Sequence, residues 1–411
     1  MSDRSDLQTR CRSLVPTVIS IVGVAGICLG DTIVGTKHDL STGGKSSAKA
    51  LSETEICLFC HTPHSAGREA PLWNRLSSGA VYTPYSSTTA KSRVGQPTGN
   101  SKLCLSCHDG TVALGMVRSR TKKIKLRGES EQMPEGPSNL ETDLQDDHPV
   151  SFLYDQKLAR ANGELEDPTL LPKNIRLENG NLQCTSCHSV HDNRYGKFLV
   201  MNNDASALCV ECHKKNFWDS SSHRTSDATW NGVARDPWPH TDRNSVKANG
   251  CENCHRPHTA GTKQRLLIFQ IEEDNCLGCH NGKVASRNIE ADLKKVSVHD
   301  VTATTGIHDP YEDLVNPARH VECVDCHNPH ATLSRTKSPL VVSGALTGVK
   351  GVDTSGKTVQ AIQYEYELCY RCHADSLKKG AALVSRVQSE TNVRLEFDVN
   401  NPSYHPVVAR G

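Results

Sequence analysis

Residues 57–64 read Cys57-Leu58-Phe59-Cys60-His61-Thr62-Pro63-His64: two cysteines separated by two residues, a histidine directly after them, and another histidine three positions on. The Cys-x-x-Cys-His part returns at Cys104-Cys107-His108, Cys184-Cys187-His188, Cys209-Cys212-His213 and Cys251-Cys254-His255. It returns again at Cys276-Cys279-His280, Cys323-Cys326-His327 and Cys369-Cys372-His373. From the Cys and His content of the chain, chance would supply roughly 0.04 such matches, so one chemistry has placed all eight.

That chemistry is covalent haem attachment. Two thiols at this spacing add across the vinyl groups of one porphyrin edge, and the histidine that follows is held under the iron as an axial ligand. Zinc sites, disulfides and thioredoxin-like redox pairs also use Cys-x-x-Cys, but none needs a histidine after every pair. Disulfide scaffolds also carry cysteine at above about 8–10 %, well beyond 18 in 411 residues. Eight covalent haem c groups consume sixteen cysteines, and the other two, Cys11 and Cys28, lie in the first thirty residues.

The motifs alternate. The first, third, fifth and seventh carry the trailing histidine, at His64, His191, His258 and His330. The even ones read LCLSCHDG, LCVECHKK, NCLGCHNG and LCYRCHAD. Two motifs therefore make one unit, repeated four times. The expected fold is an irregular, haem-cored multihaem cytochrome of short α-helices with a few small β-hairpins. Its modules are placed at 31–170, 171–240, 241–319 and 320–411, after a signal peptide at 1–30. Each motif is expected on a short helical turn. Asn179-Gly180 signals one hairpin and the glycine-spaced 341–366 stretch a second.

Second axial ligands must come from the twelve remaining histidines. A residue three positions past the proximal ligand stays on its own side of the ring, so His64, His191, His258 and His330 are expected to serve the partner haem of their own pair. His38, His148 and His240 are assigned to other sites. His320 and His405 compete for the last, with the repeated His-Pro-Val favouring His405. His223, His299 and His308 read as surface residues or reserves. Methionine is too scarce to replace them: beyond Met1 there are only Met116, Met133 and Met201. Histidine pairs imply low potentials.

Composition agrees with a cofactor-filled interior. Apolar residues make up 36 % of the chain and aromatic residues 5 %, against about 45–50 % apolar in an ordinary globular protein. Arg4, Arg10 and Arg12 precede an apolar run from Leu14 to Leu29, which is short for a bilayer span and suits export with cleavage after Gly30. A lipid anchor at Cys28 is the rival reading. The net charge of +1 gives no basic patch for nucleic acid, and about sixteen haem propionates turn the holoprotein acidic.

The stretches IVGTKHDLS leading to EICLFCHTPH, DDHPVSF, RHVECVDCHNPH, and YEYELCYRCHAD followed by NPSYHPV resemble the doubled-CxxCH multihaem cytochromes of dissimilatory metal-reducing, Geobacter-type bacteria. The likeness spans nearly the whole chain after the leader. It implies an electron carrier of the periplasm, outer membrane or cell exterior, with mostly bis-histidine haems in a chain, and distal roles for His38, His148, His320 and His405. Some members polymerise into filaments. The implied partners are other redox proteins and extracellular metal oxides, with no nucleic acid and no membrane span. The expected function is electron hopping without a catalytic residue. An octahaem reductase of the nitrite, hydroxylamine or tetrathionate type is the alternative, because it would need one haem with an open position.

Overall fold

The computed structural model describes residues 32–409 except 129–130, 303–306, 335–340, 380–383, 386 and 388–389. The expected leader at 1–30 lies outside the described residues.

Regular structure is short and gathers at the motifs. Helical turns cover Cys57–Phe59, Gly99–His108, Cys184–Cys187, Ala207–Cys212, Gly250–Asn253, Glu272–Leu277, Cys323–Cys326 and Glu365–His373. A turn places positions three apart on one side, so both thiols of a motif face the same way. The following histidine closes the turn with its own amide. His61 donates to the Cys57 carbonyl at 2.8 Å, His188 to Cys184 at 3.0 Å, His213 to Cys209 at 2.9 Å and His327 to Cys323 at 3.0 Å. Three of these turns carry a reciprocal cap, Gln183 with Ser186, Glu322 with Asp325 and Tyr364 with Glu367, which satisfies amides that so short a helix would leave unpaired.

The odd motifs share a return loop. The Cys60 carbonyl accepts from Asn74 N at 2.9 Å, that of Cys187 from Val200 N at 2.9 Å, and that of Cys254 from Ile268 N at 3.0 Å. In two of these loops consecutive left-handed residues make the bend, Lys197-Phe198 and Arg265-Leu266.

Both hairpin signals correspond to paired backbone. Strand β1 (Phe152–Leu153) pairs antiparallel with β2 (Asn181–Leu182), and β3 (Gly351–Val352) with β4 (Thr358–Val359). Ahead of β2, Glu178 and Asn181 exchange two 2.9 Å hydrogen bonds around Asn179 and Gly180, both at positive φ. That is the turn an Asn-Gly pair favours.

Among the described residues the apolar core is divided into small clusters. Phe152, Tyr154, Ala159 and Leu182 form one; Tyr82, Leu105 and Leu144 another. Val342, Val349 and Ile362 form a third, and Val352, Tyr370 and Ala374 a fourth. Polar ties bridge the gaps. The buried Arg75 guanidinium donates to the carbonyls of Leu114, Ser106 and Ala113. Ser101 Oγ donates to Gln183 at 2.5 Å and accepts from Cys184 N at 3.0 Å, fastening the second motif to the third. Ser206 Oγ does the same between the fourth and fifth, accepting from Cys251 N and donating to the Asn249 carbonyl, both at 2.8 Å.

Candidate functional site

Those ties are part of a longer order. Thiols of adjoining motifs lie close enough to perturb one another: hydrogen bonding raises Cys104, Cys209 and Cys276 well above the ordinary value and lowers their partners Cys184, Cys251 and Cys323, while burial pushes Cys60, Cys187 and Cys254 up to about 12. The contacts run Cys60 to Cys107, Cys104 to Cys184, Cys187 to Cys212 and Cys209 to Cys251. They continue from Cys254 to Cys279, Cys276 to Cys323 and Cys326 to Cys372. Every motif thus adjoins its neighbours in sequence, across the expected module boundaries as well as within them. All sixteen thiols are free of disulfides.

Seven of the eight motif histidines face a second imidazole. Ring centres are 6.2 Å apart for His61 and His191, 6.0 Å for His108 and His38, 6.2 Å for His188 and His258, and 6.2 Å for His213 and His148. The series continues with His255 and His330 at 6.2 Å, His280 and His223 at 6.1 Å, and His373 and His299 at 6.2 Å. Ring contact alone would not hold one distance across interplanar angles from 5° to 78°: His38 stacks on Phe198 at 4.2 Å. One metal atom between two imidazoles, with metal–nitrogen bonds of about 2.0 Å, holds ring centres about 6.2 Å apart whatever the twist.

Distance by itself is not decisive, since Trp73 also lies 6.1 Å from His61. The ring nitrogens supply the second criterion. Nδ1 faces a backbone carbonyl at His108 (Ser138, 2.7 Å), His188 (Lys197, 2.9 Å), His255 (Arg265, 2.8 Å), His223 (Pro329, 2.8 Å) and His327 (Ala345, 3.0 Å). A carbonyl can only accept, so Nδ1 carries the proton and Nε2 keeps its lone pair for iron. The left-handed bends of the odd return loops turn the Lys197 and Arg265 carbonyls into place. His258 Nδ1 is oriented by Asp147 Oδ1 at 3.2 Å. Burial pushes His38, His188 and His213 down to about 4, which keeps these imidazoles neutral. The sites therefore fit haem c in cysteine spacing, ring separation and tautomer.

The angles fall into two groups. Odd motifs hold their rings at 20°, 37° and 5°; even motifs at 75°, 78°, 76° and 50°.

The trailing histidines do not face the partner motif of their own pair. His191, His258 and His330 each lie against the histidine of the preceding odd motif. The backbone leaves the helical turn extended at His188 and His327, which carries the trailing residue away from its own pair. Even motifs instead face His38, His148, His223 and His299. Two of these, His223 and His299, read as reserves in the sequence, while His240 and, for the last site, His320 or the favoured His405 drew the assignment. The available signal was regularity: each of the four lies a comparable distance ahead of the even motif it faces. His240 is half-buried and faces no motif histidine. His320 lies 6.2 Å from His308. His64, His327 and His405 are exposed, and no second imidazole lies against any of them.

Comparison with known families agrees with the motif reading. Residues 243–402 match the family model described as outer membrane cytochrome MtrC/MtrF-like, domains II/IV. Residues 177–217 match the doubled CXXCH motif model. No curated protein matches the chain. No helix among the described residues is long and apolar enough to cross a membrane.

Proposed function

We propose that this chain, a multihaem c-type cytochrome, conducts electrons along eight sites in sequence order, as a carrier in extracytoplasmic or extracellular respiration ending on redox proteins or metal oxides. The observation that carries the reading is the set of seven motif histidines, each capped by a second imidazole at one spacing. Haem c supplies reversible one-electron exchange at its iron. The cysteines would tether each haem, the paired imidazoles would ligate its iron from two sides, and the carbonyl-bound Nδ1 atoms hold the rings in place. Two imidazoles at each such iron would leave no place for a substrate, which favours carriage over a reductase. Bis-histidine ligation also suits the reducing end of the potential scale.

The test is a pyridine haemochrome count with low-temperature electron paramagnetic resonance of the oxidised protein. Eight haems per chain, at least seven of them low-spin, are expected. A count below eight, or several high-spin haems, overturns the reading.

The remaining site supports a proposal about assembly. His191 serves the first motif, His258 the third and His330 the fifth, so each trailing histidine steps back by one odd motif. Continued, the series leaves His64 as a donor without an acceptor and His327 as an acceptor without a donor. Both are exposed. A head-to-tail contact placing His64 of one copy on the seventh site of another completes both and repeats without closing. His64→Ala should then abolish assembly and leave one high-spin haem at all concentrations, whereas the unaltered protein should lose its high-spin signal as it assembles. Should the seventh site instead stay open in the assembled protein and turn over nitrite or hydroxylamine, the octahaem reductase reading replaces this one.

A further inference from the structure

Just ahead of the seventh motif, His308, Glu312, His320 and Asp325 each offer one donor atom, and these atoms all lie within 4.8 Å of one another. His320 Nε2 is 3.2 Å from Glu312 Oε2, and His308 Nδ1 is 3.9 Å from both Glu312 Oε1 and Asp325 Oδ1. The four side chains retain only 14 %, 15 %, 9 % and 12 % exposure for His320, Glu312, His308 and Asp325. Glu312 Oε1 is buried with no hydrogen-bond partner. Glu322 Oε2 sits 3.0 Å from the same His308 Nδ1, so a third carboxylate faces the cluster.

The charges do not balance internally. Glu312, Glu322 and Asp325 bring three negative charges. Arg371 returns one, donating to Asp325 Oδ1 at 3.1 Å and to the Asp325 carbonyl. Arg265, the next cation, is engaged by Glu272 at 3.2 Å. Left empty, the cluster draws a proton onto His308, whose pKa burial lowers but the Glu322 hydrogen bond and the Asp325 and Glu312 charges raise on balance; with neutral imidazoles two negative charges stay uncompensated in a poorly solvated place, which is costly unless a cation is supplied.

We propose that these four residues bind one non-haem divalent cation, of the zinc class. Two imidazole nitrogens and two carboxylate oxygens suit a tetrahedral Zn²⁺ or a neighbouring first-row ion, and its charge equals the local deficit. The rings of His308 and His320 have the same 6.2 Å spacing as the haem-type pairs, but neither residue follows a Cys-x-x-Cys pair, so a haem between them would have no tether. Asp325 lies inside the seventh motif, between Cys323 and Cys326. The ion therefore clips the 308–320 segment to the helical turn that carries those thiols.

The experiment uses the holoprotein, stripped with chelator and titrated with Zn²⁺ by calorimetry, with elemental analysis of the product. One zinc per chain is expected, bound with proton release and at least tenfold more weakly in Glu312→Gln, which keeps every histidine and nearly the same shape. A His308→Gln/His320→Gln double variant should lose the site while keeping its haem count and its low-spin signals. Absence of saturable binding at one zinc per chain overturns the proposal, as does equal binding by Glu312→Gln. Conversion of a low-spin haem to high-spin in the double variant also overturns it, because it would make one of these histidines an axial ligand.

Discussion

The rings of His61 and His191 stand 6.2 Å apart and within 20° of parallel, although one belongs to the first motif and the other trails the third. A contact of this reach makes each odd site depend on a segment folded around a later one. His191→Ala should therefore leave the haem count unchanged and convert one haem, that of the first motif, from low-spin to high-spin. Magnetic resonance of the oxidised variant reads the change, and added imidazole should reverse it. An unaltered spectrum would remove His191 from the ligand set.

The two groups of interplanar angles predict two low-spin classes. An imidazole donates π density to the iron d orbital lying across its plane. Two parallel rings raise one such orbital and split the pair, whereas two perpendicular rings raise both and leave them nearly degenerate. The sites of His61, His188 and His255 should give rhombic signals. Those of His108, His213 and His280 should give strongly anisotropic signals with a single large g value, and that of His373, at 50°, an intermediate one. A spectrum with one class of low-spin signal for all sites contradicts the geometry.

His223 and His240 offer a direct contrast. The His223 ring faces His280 at 6.1 Å while its Nδ1 is tied to the Pro329 carbonyl at 2.8 Å. His223→Ala should open one haem and weaken the anchoring of the 329–332 segment, whereas His240→Ala should leave all low-spin signals intact. The reverse outcome would exchange the two residues' roles.

Ser101 tests the polar ties. Its buried hydroxyl donates to Gln183 and accepts from Cys184 N, so Ser101→Ala leaves the Gln183 oxygen with its 3.0 Å bond from Ser151 Oγ but the Cys184 amide unpaired, at a cost of about 1–3 kcal/mol. The unfolding free energy should fall by that amount with haem content unchanged; a shift within error would assign the two motifs' contact to other groups.

Lys263 Nζ donates to Asp143 Oδ2 at 2.7 Å and to Gln145 Oε1 at 2.8 Å. The Lys263 hydrogen bond, opposed by a small burial effect and aided by the Gln145 amide, holds the Asp143 carboxyl below its ordinary 3.8. A lowered folded pKa stabilises the fold above the unfolded value and loses that contribution as pH falls through the folded one. The pair is exposed, so the effect is a few tenths of a kcal/mol. Asp143→Asn should lower the urea midpoint slightly at pH 6, and the difference should shrink as pH falls below 3.8 and vanish below the lowered folded pKa. A difference that persists in acid would exclude the charge as its cause.

Much of the chemistry is local and so could be read from residues alone. The Cys-x-x-Cys-His spacing is set within one helical turn, and the tether and proximal ligand need nothing from the rest of the chain. Asn179-Gly180 likewise makes its turn from its own backbone preferences. The trailing histidines announced themselves by their register, but their destinations did not. Proximity in sequence favoured the partner motif and His240, and the repeated His-Pro-Val favoured His405, while the extended backbone after His188 and His327 carries the chain to a different neighbour.

The cofactor class and the eight Cys-x-x-Cys-His motifs are legible in the residues alone, because attachment obeys spacing along the chain. The folded chain alone sets which second histidine faces which motif, the row in which the motifs lie, and the two classes of ring angle. These depend on return loops, on carbonyls turned toward Nδ1, and on serine hydroxyls bridging successive motifs. Such contacts join segments far apart in sequence, and no local pattern of residues encodes their distances.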